Sequence, residues 1–261
     1  MNDNFLGRRD APIDSAIWKI LDQTMTEAAK SVLTGRRLLN IEGPFGLGLK
    51  GVPLGDKKED SGFITSSFVP LSLIHKTFKL CKRDLATSER EGMTINLEPV
   101  ASVAIETAMQ EDSLVFNGAS GLQGLLTADG ASKTKLSAWD SIGKAVDDVI
   151  SAITMLDKAG FHGPYTLALA PNRYNLLFRR YPQGGTELEY LQALVTDGIF
   201  KAPLLESGGV LMASGQQFSS IVLGQDMTIG YIGPVDENLE FSISESLALL
   251  IRAPKSICTL K

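Results

Sequence analysis

Residues 47–70 cannot fold by themselves. The stretch holds Gly48, Gly51, Pro53, Gly55 and Gly62 together with the charged run Asp56-Lys57-Lys58-Glu59-Asp60. Flexible and solvated residues at that density cannot close a core. The stretch's apolar residues include Leu47, Leu49, Phe63, Ile64 and Phe68. The pattern predicts two extended arms joined by a charged tip, and an isolated hairpin is only marginally stable in water. Such an arm needs a partner surface. A second copy of the chain is the simplest source, since closed symmetric homo-oligomers are the usual solution.

The rest of the chain can build a core of its own. Of 261 residues, 44% are hydrophobic and 21% charged, close to a globular average. A net charge of -5 without a basic block argues against phosphate neutralisation, so no nucleic-acid partner is expected. No apolar run is long enough to span a membrane, and the N-terminus lacks the apolar segment of a secretion signal. Cys81 and Cys258 are too few for a disulfide framework. The expectation is a cytoplasmic protein.

Nothing converges on chemistry. His75 and His162 are the two histidines, and neither has Cys or acidic residues at ligand spacing, so no metal and no catalytic residue is expected. Gly118, Gly121 and Gly124 are spaced like a loose dinucleotide fingerprint, but they follow a helix where the fingerprint must follow a strand. The chain is read as a non-enzyme.

The predicted element order is mixed α+β. Residues 1–12 read as a flexible arm. A helix capped by Asp14 carries Ile17, Leu21, Ala28 and Val32 on one face and runs to about Thr34, with Gly35 as its stop. Leu71–Leu80 is a strand, 97–117 a long helix, and Ile142–Leu156 an amphipathic helix with a capping-box-like start at Ser137 and Asp140. Tyr165–Ala170 is a buried strand, Pro171 opens a helix to about Tyr181, Glu187–Val195 is a short helix, and Val210–Met212 and Ser220–Leu223 are strands. At the C-terminal end Leu239, Phe241, Ile243, Leu247, Leu249 and Ile251 alternate, which predicts a strand with one buried face. Glu245 lies on that apolar face and requires a partner, with Arg36, Arg37 and Arg252 as candidates.

Several motifs together resemble one family. They are Ala11-Pro12 with Trp18, Gly35-Arg36, Ile41-Glu-Gly-Pro-Phe-Gly46, Gly163-Pro-Tyr-Thr-Leu167, Leu223-Gly-Gln-Asp-Met-Thr-Ile-Gly-Tyr231, and the closing strand around Glu245. The set resembles the encapsulins, linocin-like shell proteins of bacterial and archaeal nanocompartments. The resemblance implies a tailed-phage major capsid-like fold. Residues 1–46 would give the N-terminal arm, helix and start of the peripheral domain, 47–70 the extended loop, 71–130 the peripheral domain with its spine helix, 131–220 the axial domain, and 221–261 the closing strands. It also implies self-assembly into an icosahedral, T=1-like cage. The cage would enclose a cargo enzyme, ferritin-like or a dye-decolourising peroxidase, through the cargo's C-terminal targeting peptide. Iron storage or oxidative stress would then be the setting. The matching cargo-peptide positions are Ser31, Leu33, Gly35, Arg36 and Tyr231. The loop Gln183, Gly184, Gly185, Thr186 and Glu187 would line a five-fold pore, with Glu187 forming an acidic ring. Some relatives bind flavin through a tryptophan after the strand ending near Leu80. Cys81-Lys82-Arg83-Asp84 stands here, so no cofactor is expected. A viral or prophage major capsid protein is the alternative reading, and a peptidase or flavoenzyme a remoter one.

Overall fold

The computed structural model describes residues 5–119 and 121–261. Residues 1–4 of the expected flexible arm, and Ser120 within the Gly118–Gly124 cluster, lie outside the described residues. The elements run α1 (Ser15–Val32), the single turn α2 (Gly35–Leu38), β1 (Asn40–Glu42), β2 (Gly51–Lys58), β3 (Ile64–Pro70), β4 (Ser72–Cys81), α3 (Lys82–Glu91) and α4 (Glu98–Asn117). Then follow β5 (Gly118–Ala119), β6 (Leu122–Gln123), β7 (Ser132–Thr134), α5 (Lys144–Lys158), β8 (Tyr165–Leu169), α6 (Pro171–Leu176) and α7 (Glu187–Leu194). The chain closes with β9 (Ile199–Lys201), β10 (Gly209–Ala213), β11 (Ser219–Val235), β12 (Asn238–Ile251) and β13 (Ile257–Leu260). This is the expected α+β order.

The chain forms two compact units, each discontinuous in sequence. One comprises Met1–Leu33, Gly43–Glu111 and Val222–Ala248, the other Thr34–Glu42, Asp112–Ile221 and Leu249–Lys261. The segment 131–220 lies wholly in the second unit, and the closing segment 221–261 is shared between both.

In the first unit α1 packs on a sheet. Asp14 caps the helix, its carboxylate accepting from Ile17 N at 2.7 Å. The helix presents Ile17, Trp18, Leu21 and Met25 to Phe78, Leu80, Phe241 and Ile243, the packing that an apolar stripe and an alternating strand demand of each other. Phe241 is the hub: Trp18 meets it edge-on at 5.7 Å and Phe78 stacks on it at 5.4 Å. β12 pairs antiparallel with β4 in an unbroken register from Asn238↔Cys81 to Leu247↔Ser72. β12 departs from the expected single buried face, because residues 241–250 are buried on both sides. The second face is built from Ser242, Ser244 and Ser246, whose small hydroxyls can be satisfied locally. Ser246 Oγ accepts from Gln225 N, and Gln225 Nε2 donates to Ser244 Oγ, both at 2.8 Å. A hydrophobicity pattern cannot register that kind of burial.

The N-terminal segment is also more ordered than a free arm from Leu6 onward. Tyr231 N donates to Leu6 O at 2.8 Å. Gly7 lies so close to Tyr231 that a Cβ would sit 2.6 Å from its carbonyl oxygen. Arg8 forks onto Asp22 at 3.1 and 2.6 Å while lying 4.0 Å over the Trp18 ring.

The second unit holds a five-stranded sheet in the order β7-β13-β10-β8-β9, covered by α5 and α7. β8 is buried throughout. Its core gathers Trp139, Val149, Leu156, Leu167, Leu191 and Leu211. Cys258 is buried here, and burial pushes its thiol up to about 11, as expected of a small apolar filler. Three helix boundaries differ from expectation, each for a side-chain reason. α1 ends at Val32, and Gly35 opens α2, because the Asp112 carboxylate accepts from Thr34 N at 2.9 Å and Gly35 N at 2.8 Å. α5 starts at Lys144, not from a Ser137 cap. Ser137 N, Ser137 Oγ and Trp139 Nε1 all donate to Asp148, at 2.7, 2.8 and 2.7 Å, folding the preceding loop back on the helix. α6 stops at Leu176, where Arg179 Nε donates to the Leu176 carbonyl at 3.1 Å.

An acid-sensitive latch closes β1. Ser220 Oγ and Arg252 Nη2 both donate to Glu42 Oε1, the latter at 2.8 Å, and Arg252 Nη1 donates to Ser220 Oγ at 2.8 Å. Arg252, one of the arginines expected beside Glu245, is thus committed to Glu42. Burial alone would raise the Glu42 pKa, but the Ser220 and Arg252 bonds outweigh it and hold the carboxyl below its usual 4.5. A depressed folded pKa contributes stability that is complete above 4.5 and is lost as pH falls through the folded value. Glu42→Gln is therefore expected to melt lower than the parent at pH 7 and to converge with it as pH falls through the depressed folded pKa of Glu42. Thermal scans over that range check this, and parallel curves would exclude the latch as the cause.

Candidate functional site

The arm expected at 47–70 is a two-stranded hairpin of the first unit. β2 and β3 pair from Gly51↔Pro70 to Lys58↔Ile64, with an irregularity between Pro53 and Gly55 that leaves Leu54 out of the ladder. Gly55 adopts φ 106° there, a value that favours glycine. Alternation places Ile64, Ser66, Phe68 and Pro70 on one face of β3. Phe63, Ile64 and Phe68 are 71%, 67% and 58% exposed, and Leu54 is 53% exposed. The tip is held by its own polar groups: Ser66 Oγ donates to Asp56 at 2.7 Å, and Gly62 N donates to Glu59 O at 2.9 Å. The hairpin is shaped by the sequence, but its apolar residues remain in solvent, as their composition required.

The five cargo-peptide positions fall in different environments. Ser31 is exposed at the end of α1 and donates to Ala28 O at 2.7 Å. Leu33 is only 6% exposed and packs with Ala29 and Ala108, with Val32 and Met227 against them. In the single chain its side chain supports the end of α1. Tyr231 is half-buried, its ring tilted against Phe241 at 5.5 Å. In the second unit Gly35 is buried, and a Cβ there would meet Val115 Cγ1 at 3.0 Å. Arg36 beside it is partly exposed.

The expected pore loop divides the same way. Gln183, Gly184 and Gly185 are exposed and Thr186 is partly so. Gly184 and Gly185 hold φ 99° and 79°. Glu187 corrects the expectation of an acidic ring, because it is fully buried in the single chain. Arg179 donates to its Oε2 from Nη2 at 2.7 Å and from Nε at 3.1 Å, and Gly143 N donates to its Oε1 at 2.8 Å. Arg179 Nη1 also donates to Trp139 O at 2.6 Å. Glu187 therefore clamps the base of the loop, with its charge neutralised. The carboxylate that stays in solvent is Glu189, which completes a capping box with Thr186. The sequence signal for that box, Thr-x-x-Glu ahead of Leu191, was present at 186–189.

No group of three or more His, Cys, Asp or Glu residues among the described residues could hold a metal ion. Among them no helix is long and apolar enough to cross a membrane. Cys81 and Lys82–Asp84, expected to lack a flavin-stacking ring, form the N-cap and first turn of α3.

Known proteins resemble the chain along nearly its whole length. Residues 2–248 match the family model described as an encapsulating protein for peroxidase. The chain is 31% identical to a type 1 encapsulin shell protein of Myxococcus xanthus, over 99% of this chain and 96% of the relative. It is 32% identical to a diheme-cytochrome-encapsulin shell fusion protein of Kuenenia stuttgartiensis, over 95% of this chain and 74% of the relative. Among solved structures, a virus-like particle from Pyrococcus furiosus aligns with a TM-score of 0.78 at 23% identity, covering 94% of this chain and 99% of that one. The capsid of Myoviridae phage XM1 aligns with a TM-score of 0.59 at 14% identity, covering 85% and 88%. At such identities the structural likeness establishes the fold, a phage-capsid-like α+β fold.

Proposed function

The chain belongs to the encapsulin shell-protein family, and on that premise we propose that the β2–β3 arm is the element that locks its copies into a closed icosahedral, T=1-like cage. The family identity makes it a cage-forming shell protein. The observation that carries the role of the arm is the exposure of Leu54, Phe63, Ile64 and Phe68 on a hairpin with no core of its own. Apolar surface of that kind marks an interaction site. Burying it against neighbours contributes about 25 cal/mol per Å² of apolar area. Purified protein is expected to elute as a megadalton species and to appear as hollow particles by electron microscopy. A monodisperse monomer at micromolar concentration would overturn the proposal.

The cage serves a cargo enzyme, of ferritin-like or peroxidase type, which docks on the inner wall through a C-terminal peptide beside Ser31 and Tyr231. Two relatives are shells fused to a partner, a diheme cytochrome in one and a ferritin-like protein in the other, which supports a cargo partner here. Where the 182–186 loop borders an opening in the cage, Glu189 is the carboxylate that meets passing ions, and it favours cations. The shell itself works without flavin, in the cytoplasm, as scaffold and not as catalyst.

A further inference from the structure

Trp139 holds a backbone conformation that a bulky side chain rarely adopts. Its φ is 55°, in the left-handed region, and the residue is only 1% exposed. Among the described residues the other non-glycine residue with positive φ is Asp236, at 49° in the turn between β11 and β12. A short polar side chain tolerates that region far better than an indole does. Such a conformation persists only where the surrounding structure over-determines it.

The surroundings of Trp139 do so. Its Nε1 donates to Asp148, which also accepts from Ser137 N and Ser137 Oγ. Its carbonyl accepts from Arg179 Nη1 at 2.6 Å. The Arg173 guanidinium lies 4.9 Å from the ring centroid, and its Nη1 donates to the Ser137 carbonyl at 2.9 Å. Further along the segment, the Ser141 carbonyl accepts from Arg179 Nη2 at 3.3 Å, and Gly143 N donates to Glu187 at 2.8 Å.

Arg179 and Glu187 also close the base of a second loop. Glu187 N donates to Arg179 O at 3.3 Å, Arg180 and Thr186 form a bridge, and Tyr181 N donates to Gly185 O at 3.0 Å. One ion pair with a fully buried carboxylate thus fastens two loops that are distant in the chain. If either loop moved alone, that pair would lose partners, and a buried charge left short of partners is costly. Intermediate positions are therefore the least stable, and the loops hold or release together.

We propose that residues 137–143 and 181–187 form one two-state element. The Arg179–Glu187 pair is its clasp, and Trp139 is the strained part that relaxes once the clasp opens. The strain favours release and the bonds favour closure, so a perturbation at either loop reaches the other. The coupling lies wholly within the second unit and holds whether or not the 182–186 loop borders an opening in the cage.

The test is amide hydrogen exchange, read by mass spectrometry on the full chain and on two near-isosteric variants. Asp148→Asn disturbs the anchor of the first loop, where Asp148 holds Ser137 and Trp139. Glu187→Gln weakens the clasp from the second loop. Each variant is expected to speed exchange about tenfold in peptides covering 138–144 and 181–187 alike, with β8 and β10 unchanged. One opening equilibrium governs both loops, so they should respond by the same factor in either variant. Faster exchange confined to the perturbed loop, or no change in either variant, overturns the coupling. Lost protection in β8 and β10 as well would mean that the loops open only with the whole unit, and it overturns the proposal too.

Discussion

Ile64→Asp/Phe68→Asp is expected to abolish particle formation while leaving each chain folded. Both side chains are mostly exposed in the isolated chain and lie on one face of β3, so nothing in the core depends on them. Each contributes about 1.5–3 kcal/mol when fully buried, and two carboxylates forced into the same contact add a desolvation cost of several kcal/mol. The loss recurs at every symmetry-related contact. Size-exclusion chromatography with light scattering should show small species in place of the cage, with the circular dichroism spectrum of the parent. Intact particles from the double variant would show that the arm does not hold copies together. A chain that loses its secondary structure would contradict the reading of the arm as dispensable to the fold.

Arg179→Ala is expected to damage the second unit severely. It removes the guanidinium that pairs with a carboxylate of 0% exposure, along with the bonds to Leu176 O and Trp139 O. Leaving a buried charge uncompensated costs about 3–5 kcal/mol. At this chain length that corresponds to a fall in melting temperature on the order of 10 °C, read at fixed protein concentration, and to faster proteolysis within residues 181–186. Arg179→Met/Glu187→Leu should recover part of the loss, since an apolar pair leaves no buried charge. A shift of less than about 2 °C for Arg179→Ala would mean that Glu187 is satisfied by Gly143 N and solvent instead. The same geometry means that Glu187→Lys would act on folding before it could act on any ion path.

Much of this protein was legible along the chain, where the cause is local. The Asp14 cap, the long helix to Asn117, the strand facing Phe241 and the uncored arm all follow from spacing and composition. Their determinants lie within a few residues of one another. The arm's need for a partner is a statement about what 24 consecutive residues cannot do, and no tertiary contact was required to make it. The motifs at 41–46 and 223–231 also carried the family.

Tertiary structure decided whatever depends on residues distant in sequence. Leu33 looked available at a helix end until Ala108 and Met227 covered it. Glu187 looked like a loop carboxylate until Arg179 and Gly143 closed around it. Ser137 looked like a cap until Asp148 drew it away. The face of β12 that carries serines read as solvent-facing, and Gln225 made its burial affordable. In each case a polar or apolar group has several acceptable environments with similar local free energy. The choice among them is made by burial and hydrogen bonding to partners that only the folded chain brings within reach.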